Sequence, residues 1–345
     1  MVKCFRHVQG AALIFQTSTT AAQLCASATG RLLFQWYNHI EDECCLLLSC
    51  RGAMPNSWRQ DDIQIRKLVL ESNVSPMSEK QRQSWILDDV LQTALAITPT
   101  AADVLATIPE LKGSTGEKRA KMIVYLESKL VYILDYLEAL RTTPIVEELL
   151  QTIEVGFPWQ SRHSSCCPDL PFPPFRFINP SAGMVFICLT ALRLYAQVVL
   201  YPPLRADGVR FERLELESKF DEYYACEMLR GYAAIEDEVG DDLSYLLSCF
   251  RPLVVAGFSC PVQLRQWLWY KFAHFEQLGP KYVEPVRRYL SVLWGMPGIL
   301  TLSFESWKRT PLENRIAPLT VDDIEVAAKI VVTTTDLESS ETVEE

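Results

Sequence analysis

Apolar and polar residues along most of this chain recur with the three-and-four step of an α-helix, not the two-step of a strand. The clearest run is 116–141, where Ala120, Ile123, Leu126, Leu130, Ile133, Leu137 and Leu140 share one face, with Ser114 or Thr115 placed to cap it. Helices are also predicted over 30–50, starting after Gly30, and over 59–73. A further one covers 79–97, where Ser78 and Gln81 form a capping box and Pro99 ends the run. The second half adds 181–201 and 209–235, then shorter helices over 241–250, 260–278 and 280–294. Only Val331, Val332 and Thr333–Thr335 form a β-branched cluster. The pattern predicts an all-α fold, a multi-helix bundle or set of stacked helical hairpins, as a single large domain over 1–312. A connector over 155–180, rich in proline and aromatic residues (Phe157, Trp159, Phe172, Phe175, Phe177), is expected to pack on the surface. Residues 313–345 are irregular; 321–345 hold eight acidic residues against Lys329 alone, which predicts a disordered acidic tail.

One stretch, PFPPFRFINPSAGMVFICLTALRLYAQVVLYPP (171–203), is apolar enough to raise the question of a membrane span. Asn179 is placed to cap a helix, Pro180 suits its first position, and Pro202 with Pro203 should stop it. The apolar part, Met184 to Tyr201, is 18 residues, and a span needs about 20. Arg193, Gln197 and Tyr201 also follow one another at helical spacing. A single polar stripe on an apolar helix predicts the core helix of a helical bundle, with Arg193 paired inside the domain because an unpaired buried charge is costly. At the N-terminus, Lys3 and Arg6 precede the apolar run 11–15 in the manner of a secretion signal, but His7, Gln9 and Gln16 leave that run too short.

Composition narrows the classes. Of 345 residues, 49% are apolar and 22% charged, which fits a folded protein with a large core. The net charge of −10 provides no electrostatic footprint for nucleic acid. Eleven cysteines include two adjacent pairs, Cys44–Cys45 and Cys166–Cys167, and no C-x-x-C spacing. Cys188, Cys226 and Cys249 lie in apolar runs and read as small core residues in a reducing compartment. His163 with Cys166 and Cys167 lacks a visible fourth ligand, so no zinc site is assigned.

The sharpest candidate chemistry is the acidic run EDEVGDD (236–242). Asp237 with Asp241, and Glu238 with Asp242, stand four apart, and on a helix each pair would share a face that could hold magnesium. The plainer reading has Gly240 break the helix and Asp241 or Asp242 cap the next one. Asp88 and Asp89 are neighbours and diverge on a helix, with Trp85, Leu91 and Leu95 expected on the buried face. His7 stands alone, His39 has only Glu43 at helical spacing, and His274 lies among Trp267, Trp269, Tyr270, Phe272 and Phe275, an aromatic stripe that reads as core. No nucleotide-binding glycine loop, nucleophile elbow or zinc-protease motif occurs.

Three segments together resemble the regulatory (middle homology) region of fungal binuclear zinc-cluster transcription factors. They are HVQGAALIFQ with TGRLLFQWYNHIEDECCLLLSCRGAMPNSW, then FPPFRFINPSAGMVFICLTALRLYAQVVLYPP, then YYACEMLRGYAAIEDEVGDDLSYLLSCFRPLVVAGFSCPVQLRQWLWYKFAHFEQLG, covering roughly 5–295. The resemblance implies an all-helical, nuclear, non-enzymatic module. It would regulate transcription through other proteins (transcription machinery or a DNA-binding partner), in a homo- or hetero-oligomer. The compact basic six-cysteine reader of that family is not in this sequence, so neither direct DNA binding nor a zinc or other cofactor is expected, and no membrane association. The alternative is an all-α metal-dependent enzyme acting on a prenyl diphosphate-type substrate through the 236–242 acids; a third reading is a helical scaffold.

Overall fold

The computed structural model describes residues 2–25, 78–154, 174–239, 243–277 and 283–295, with isolated positions between 27 and 58. Within them the chain is helical almost throughout, as the periodicity requires. Helices α1 (Val2–Ser18) and α2 (Ala21–Cys25) come first. The main body opens with α3 (Glu79–Leu95), α4 (Thr98–Lys112), α5 (Gly116–Arg141) and α6 (Pro144–Leu149). A two-residue antiparallel ribbon pairs β1 (Ile153–Glu154), just before the connector, with β2 (Phe175–Arg176), inside its C-terminal part. Helix α7 (Pro180–Tyr195) continues through a π-helical turn (Ala196–Leu200) into α8 (Pro202–Ala206). Then come α9 (Glu212–Glu217), a 3-10 turn (Ser218–Phe220), α10 (Asp221–Val239), α11 (Leu243–Phe258), α12 (Val262–Gln277) and α13 (Val283–Leu293).

The apolar stretch is α7, and it is the centre of the fold. Helices α10 and α11 pack on it and on each other, α3 and α5 close its other sides, and 72% of the most apolar window of the continuous helical run Pro180–Ala206 is buried. The start forms as its sequence dictates: the Asn179 side chain accepts a hydrogen bond from the Ala182 amide at 2.9 Å, and Pro180 takes the first turn. Glycines set the spacing to α10. A Cβ on Gly183 would lie 2.8 Å from side-chain carbons of Ile235 and Phe177, closer than packed carbons tolerate, so the two backbones approach only because that position is bare. Phe175 and Phe177 are buried and stack edge-on or tilted against Phe186, so the described end of the connector is pinned to α7.

Proline was the least reliable guide to helix ends. Pro202 and Pro203 do not stop the central helix; after the π-turn they occupy the first turn of α8, where a missing N–H costs nothing. Pro99 likewise opens α4, a helix the sequence pattern did not predict. Pro252 lies inside α11, which therefore runs past the expected end at 250. The helix expected over 209–235 is broken by the 3-10 turn at 218–220. On α5 the buried face omits Ala120, which is exposed, keeps Ile123 and Leu140 only half-buried and gains Leu134, and Thr115 caps without a side-chain bond. The Ser114 hydroxyl instead donates to the Leu111 carbonyl at 2.9 Å. On α3, Leu87, Val90 and Ala94 are buried while Trp85, Leu91 and Leu95 are only half-buried.

A second, smaller core gathers Val8, Ala12, Phe34, Tyr37 and Met54. The buried Glu41 carboxylate ties it together, accepting from the Tyr37 hydroxyl at 2.8 Å and from the amides of Ala53 (2.7 Å) and Met54 (2.8 Å). Most of the helix expected over 30–50, all of 59–73, the connector over 155–173 and the tail over 313–345 lie outside the described residues.

Candidate functional site

The polar row Arg193, Gln197 and Tyr201, which runs from α7 through the π-turn to its end, separates into three environments. Arg193 is paired, as its burial requires: its guanidinium reaches both carboxylate oxygens of Glu217 at 2.8 Å, bonds Glu138 as well, and lies 5.1 Å from the ring centre of Tyr224. One turn on, Gln197 is 3% exposed, and neither its Oε1 nor its Nε2 has a hydrogen-bond partner among the described residues. Tyr201 closes the row; its hydroxyl donates to Glu215 at 2.6 Å and accepts from the Phe211 amide at 3.2 Å.

Gln197 sits on the π-turn, a geometry that often marks functional positions. The turn widens the helix because Tyr201 donates five residues back, to the Ala196 carbonyl, at 3.1 Å. Beside it opens a cleft of about 600 Å³ lined by Gln197, Tyr201, Arg205, Arg210, Ser218 and Asp221. Arg205 and Arg210 both face Glu215, at 3.2 and 3.8 Å.

Asp221 is the titrating group of this cleft. It is the first residue of α10, where the helix dipole favours a carboxylate. Burial outweighs that: desolvation, with the nearby Glu217 charge adding to it, raises the carboxyl from its ordinary 3.8 to about 7. Between those values the folded chain holds a proton that the unfolded chain has released. Stability should therefore fall as pH rises from about 4 to about 7, then level off. Melting temperatures across this range should show the decline, and Asp221→Asn should flatten it and melt higher than the parent at pH 8.

The acidic run divides at the end of α10. Glu236 points into the core, where its carboxylate pairs with the Lys271 ammonium and accepts from the Tyr232 hydroxyl at 3.2 Å. Asp237 is half-buried and Glu238 exposed, so the three neighbours radiate to different surroundings. Asp241 and Asp242 lie outside the described residues, and α11 begins at Leu243, directly after them. Asp88 is exposed and Asp89 half-buried on α3. His274 is half-buried among buried Trp267, Trp269, Tyr270, Phe272 and Phe275, an aromatic core. His7 is exposed on α1; His39, His163, Cys44, Cys45, Cys166 and Cys167 lie outside the described residues. Cys249 is fully buried, Cys188 and Cys226 are half-buried, and burial raises all three thiols, Cys188 to about 11, as suits core positions.

A second hollow lies between α3, α7 and α11. It encloses about 230 Å³ and is walled mainly by Leu91, Leu95, Met184, Cys188, Ala191, Leu192 and Val255, with Tyr195 and Arg251 as polar members. It explains the half-exposure of Leu91 and Leu95, which face this space. Helical periodicity alone does not single out Tyr195 or Arg251. The signal for Arg251 was present: it is the one charged residue in LSYLLSCFRPLVVAGF.

No protein-family model, curated protein or solved structure matches the chain.

Proposed function

We propose that the chain is a nuclear regulatory module of the fungal transcription-factor type, acting through contacts with other proteins rather than by catalysis. One observation carries the reading. The second segment that resembles that family's regulatory region runs through β2, α7 and the π-turn, the third through α10–α12, and α10 and α11 of the third pack on α7 of the second at the centre of the fold. That these two segments are joined in one core supports the reading; the described part of the first segment belongs to the smaller core. Of the 236–242 acids on which the enzyme alternative rests, Glu236 is committed to Lys271 and Tyr232, while the pairs Asp237–Asp241 and Glu238–Asp242 each have one member outside the described residues.

On this reading the chain does not bind DNA by itself. Affinity for duplex DNA comes mainly from cations that replace counterions at several phosphates. The net charge is −10, and of the densest basic doublets, Arg287–Arg288 is committed to Glu276 and Glu284. A fluorescence titration at about 0.15 M salt should show no saturable binding. Fused to an unrelated DNA reader, the chain should change transcription from that reader's site. Saturable, sequence-selective binding by the isolated chain, or magnesium-dependent release of diphosphate from a prenyl diphosphate, would overturn the proposal.

A further inference from the structure

The hollow between α3, α7 and α11 combines three features that define a ligand chemistry. Its walls are apolar, and its volume of about 230 Å³ equals roughly eight water volumes at ~30 Å³ each. The Tyr195 hydroxyl belongs to a side chain only 8% exposed, yet it has no hydrogen-bond partner among the described residues. A buried hydroxyl left unmatched costs about 1–3 kcal/mol, so it is conspicuous in a well-packed core. Arg251 is half-buried, makes no ion pair with any described residue, and acts electrostatically on both Tyr195 and Cys188. The exposed Ser248, one helical turn before Arg251, lies at the same wall and marks the open side.

We propose that this hollow is a binding site for a small amphipathic carboxylate, with an apolar body of about five to seven carbons lying against Leu91, Leu95 and Ala191 and its carboxylate meeting Arg251 and the Tyr195 hydroxyl. An apolar chamber with one convergent cation and one donor selects a monoanion with a greasy tail over a sugar, a nucleotide or a neutral hydrocarbon. Three helices of the central core meet at the site, so occupancy bears directly on how α3 and α11 sit against α7. As the control point of a regulatory module the site rests on the function proposed above; as a binding site it does not.

The test is a calorimetric titration of the full chain with hexanoate, alongside acetate and the uncharged hexanamide. Hexanoate should bind with a dissociation constant of about 1 mM or tighter, and acetate and hexanamide at least about tenfold more weakly, for want of the tail and the charge respectively. Arg251→Gln should weaken hexanoate about tenfold or more. Tyr195→Phe should weaken it severalfold while raising the melting temperature of the free chain, because it deletes an unmatched buried hydroxyl. That opposite-signed pair of effects would not come from a merely structural tyrosine, and the melting curve shows that the variant is folded. No hexanoate binding up to about 10 mM, equal binding of hexanamide, or undiminished binding by both variants would overturn the proposal. The titration reads binding alone, so its failure leaves the transcriptional reading to the fusion experiment.

Discussion

Lys271→Met should destabilise the chain by about 3–5 kcal/mol, the cost of stranding a buried carboxylate without its counter-charge. Lys271 on α12 and Glu236 on α10 are 3% and 6% exposed, so solvent can screen little of their attraction or relieve the survivor. The site is otherwise satisfied: Tyr232 donates to the same carboxylate, and the Lys271 ammonium lies 5.1 Å from the ring centre of Trp267. Glu236→Gln combined with Lys271→Met should recover most of the loss, because glutamine keeps an acceptor for Tyr232 while both charges leave together. Urea denaturation of the parent, the two single variants and the double gives the coupling directly. A loss below about 1 kcal/mol for Lys271→Met would mean that the pair is not buried as described.

This pair also shows what could be read from the sequence and what could not. Helical periodicity located α5 at both ends and the start of α7, since a buried face on a long helix writes its own spacing, but it ran on to 201 across the π-turn that follows Tyr195. It also placed Arg193, Gln197 and Tyr201 on one stripe. Sequence could not show that Lys271, inside an aromatic run, meets Glu236 across 35 positions, because periodicity within a helix carries no information about which helices face each other. The acidic run therefore looked like one cluster, while the fold turns its first member inward. Proline misled for a related reason. Its missing N–H is cheap in a first turn, as at Pro99 and Pro202, and the same residue is costly in a helix interior, so residue type alone cannot tell a start from a stop. The 230 Å³ hollow was least legible, being a property of three helices at once. Its one trace in the sequence is a solitary arginine in an apolar helix.

Arg193→Ala should be the other severe substitution, costing about 2–4 kcal/mol. Its side chain is only 14% exposed and bonds Glu217 beyond α8 and Glu138 on α5, while stacking on Tyr224 of α10. One residue of the central helix thus holds three neighbouring elements. Alanine removes the cation and leaves two carboxylates turned toward the same space, with Asp221 also feeling the freed Glu217 charge. Arg193→Leu should be milder, because the leucine chain retains part of the packing that the arginine stem provides. Arg193→Lys should rescue little despite keeping the charge, since a single ammonium cannot match the two-oxygen contact with Glu217 and a simultaneous bond to Glu138. The separating measurement is the pair Arg193→Ala and Arg193→Ala with Glu217→Gln. If stranded charge dominates, the second change restores part of the stability at pH 8; if lost packing dominates, it restores none. Equal melting temperatures for the parent and Arg193→Ala would sink the assignment of Arg193 as the tie between α7 and its neighbours.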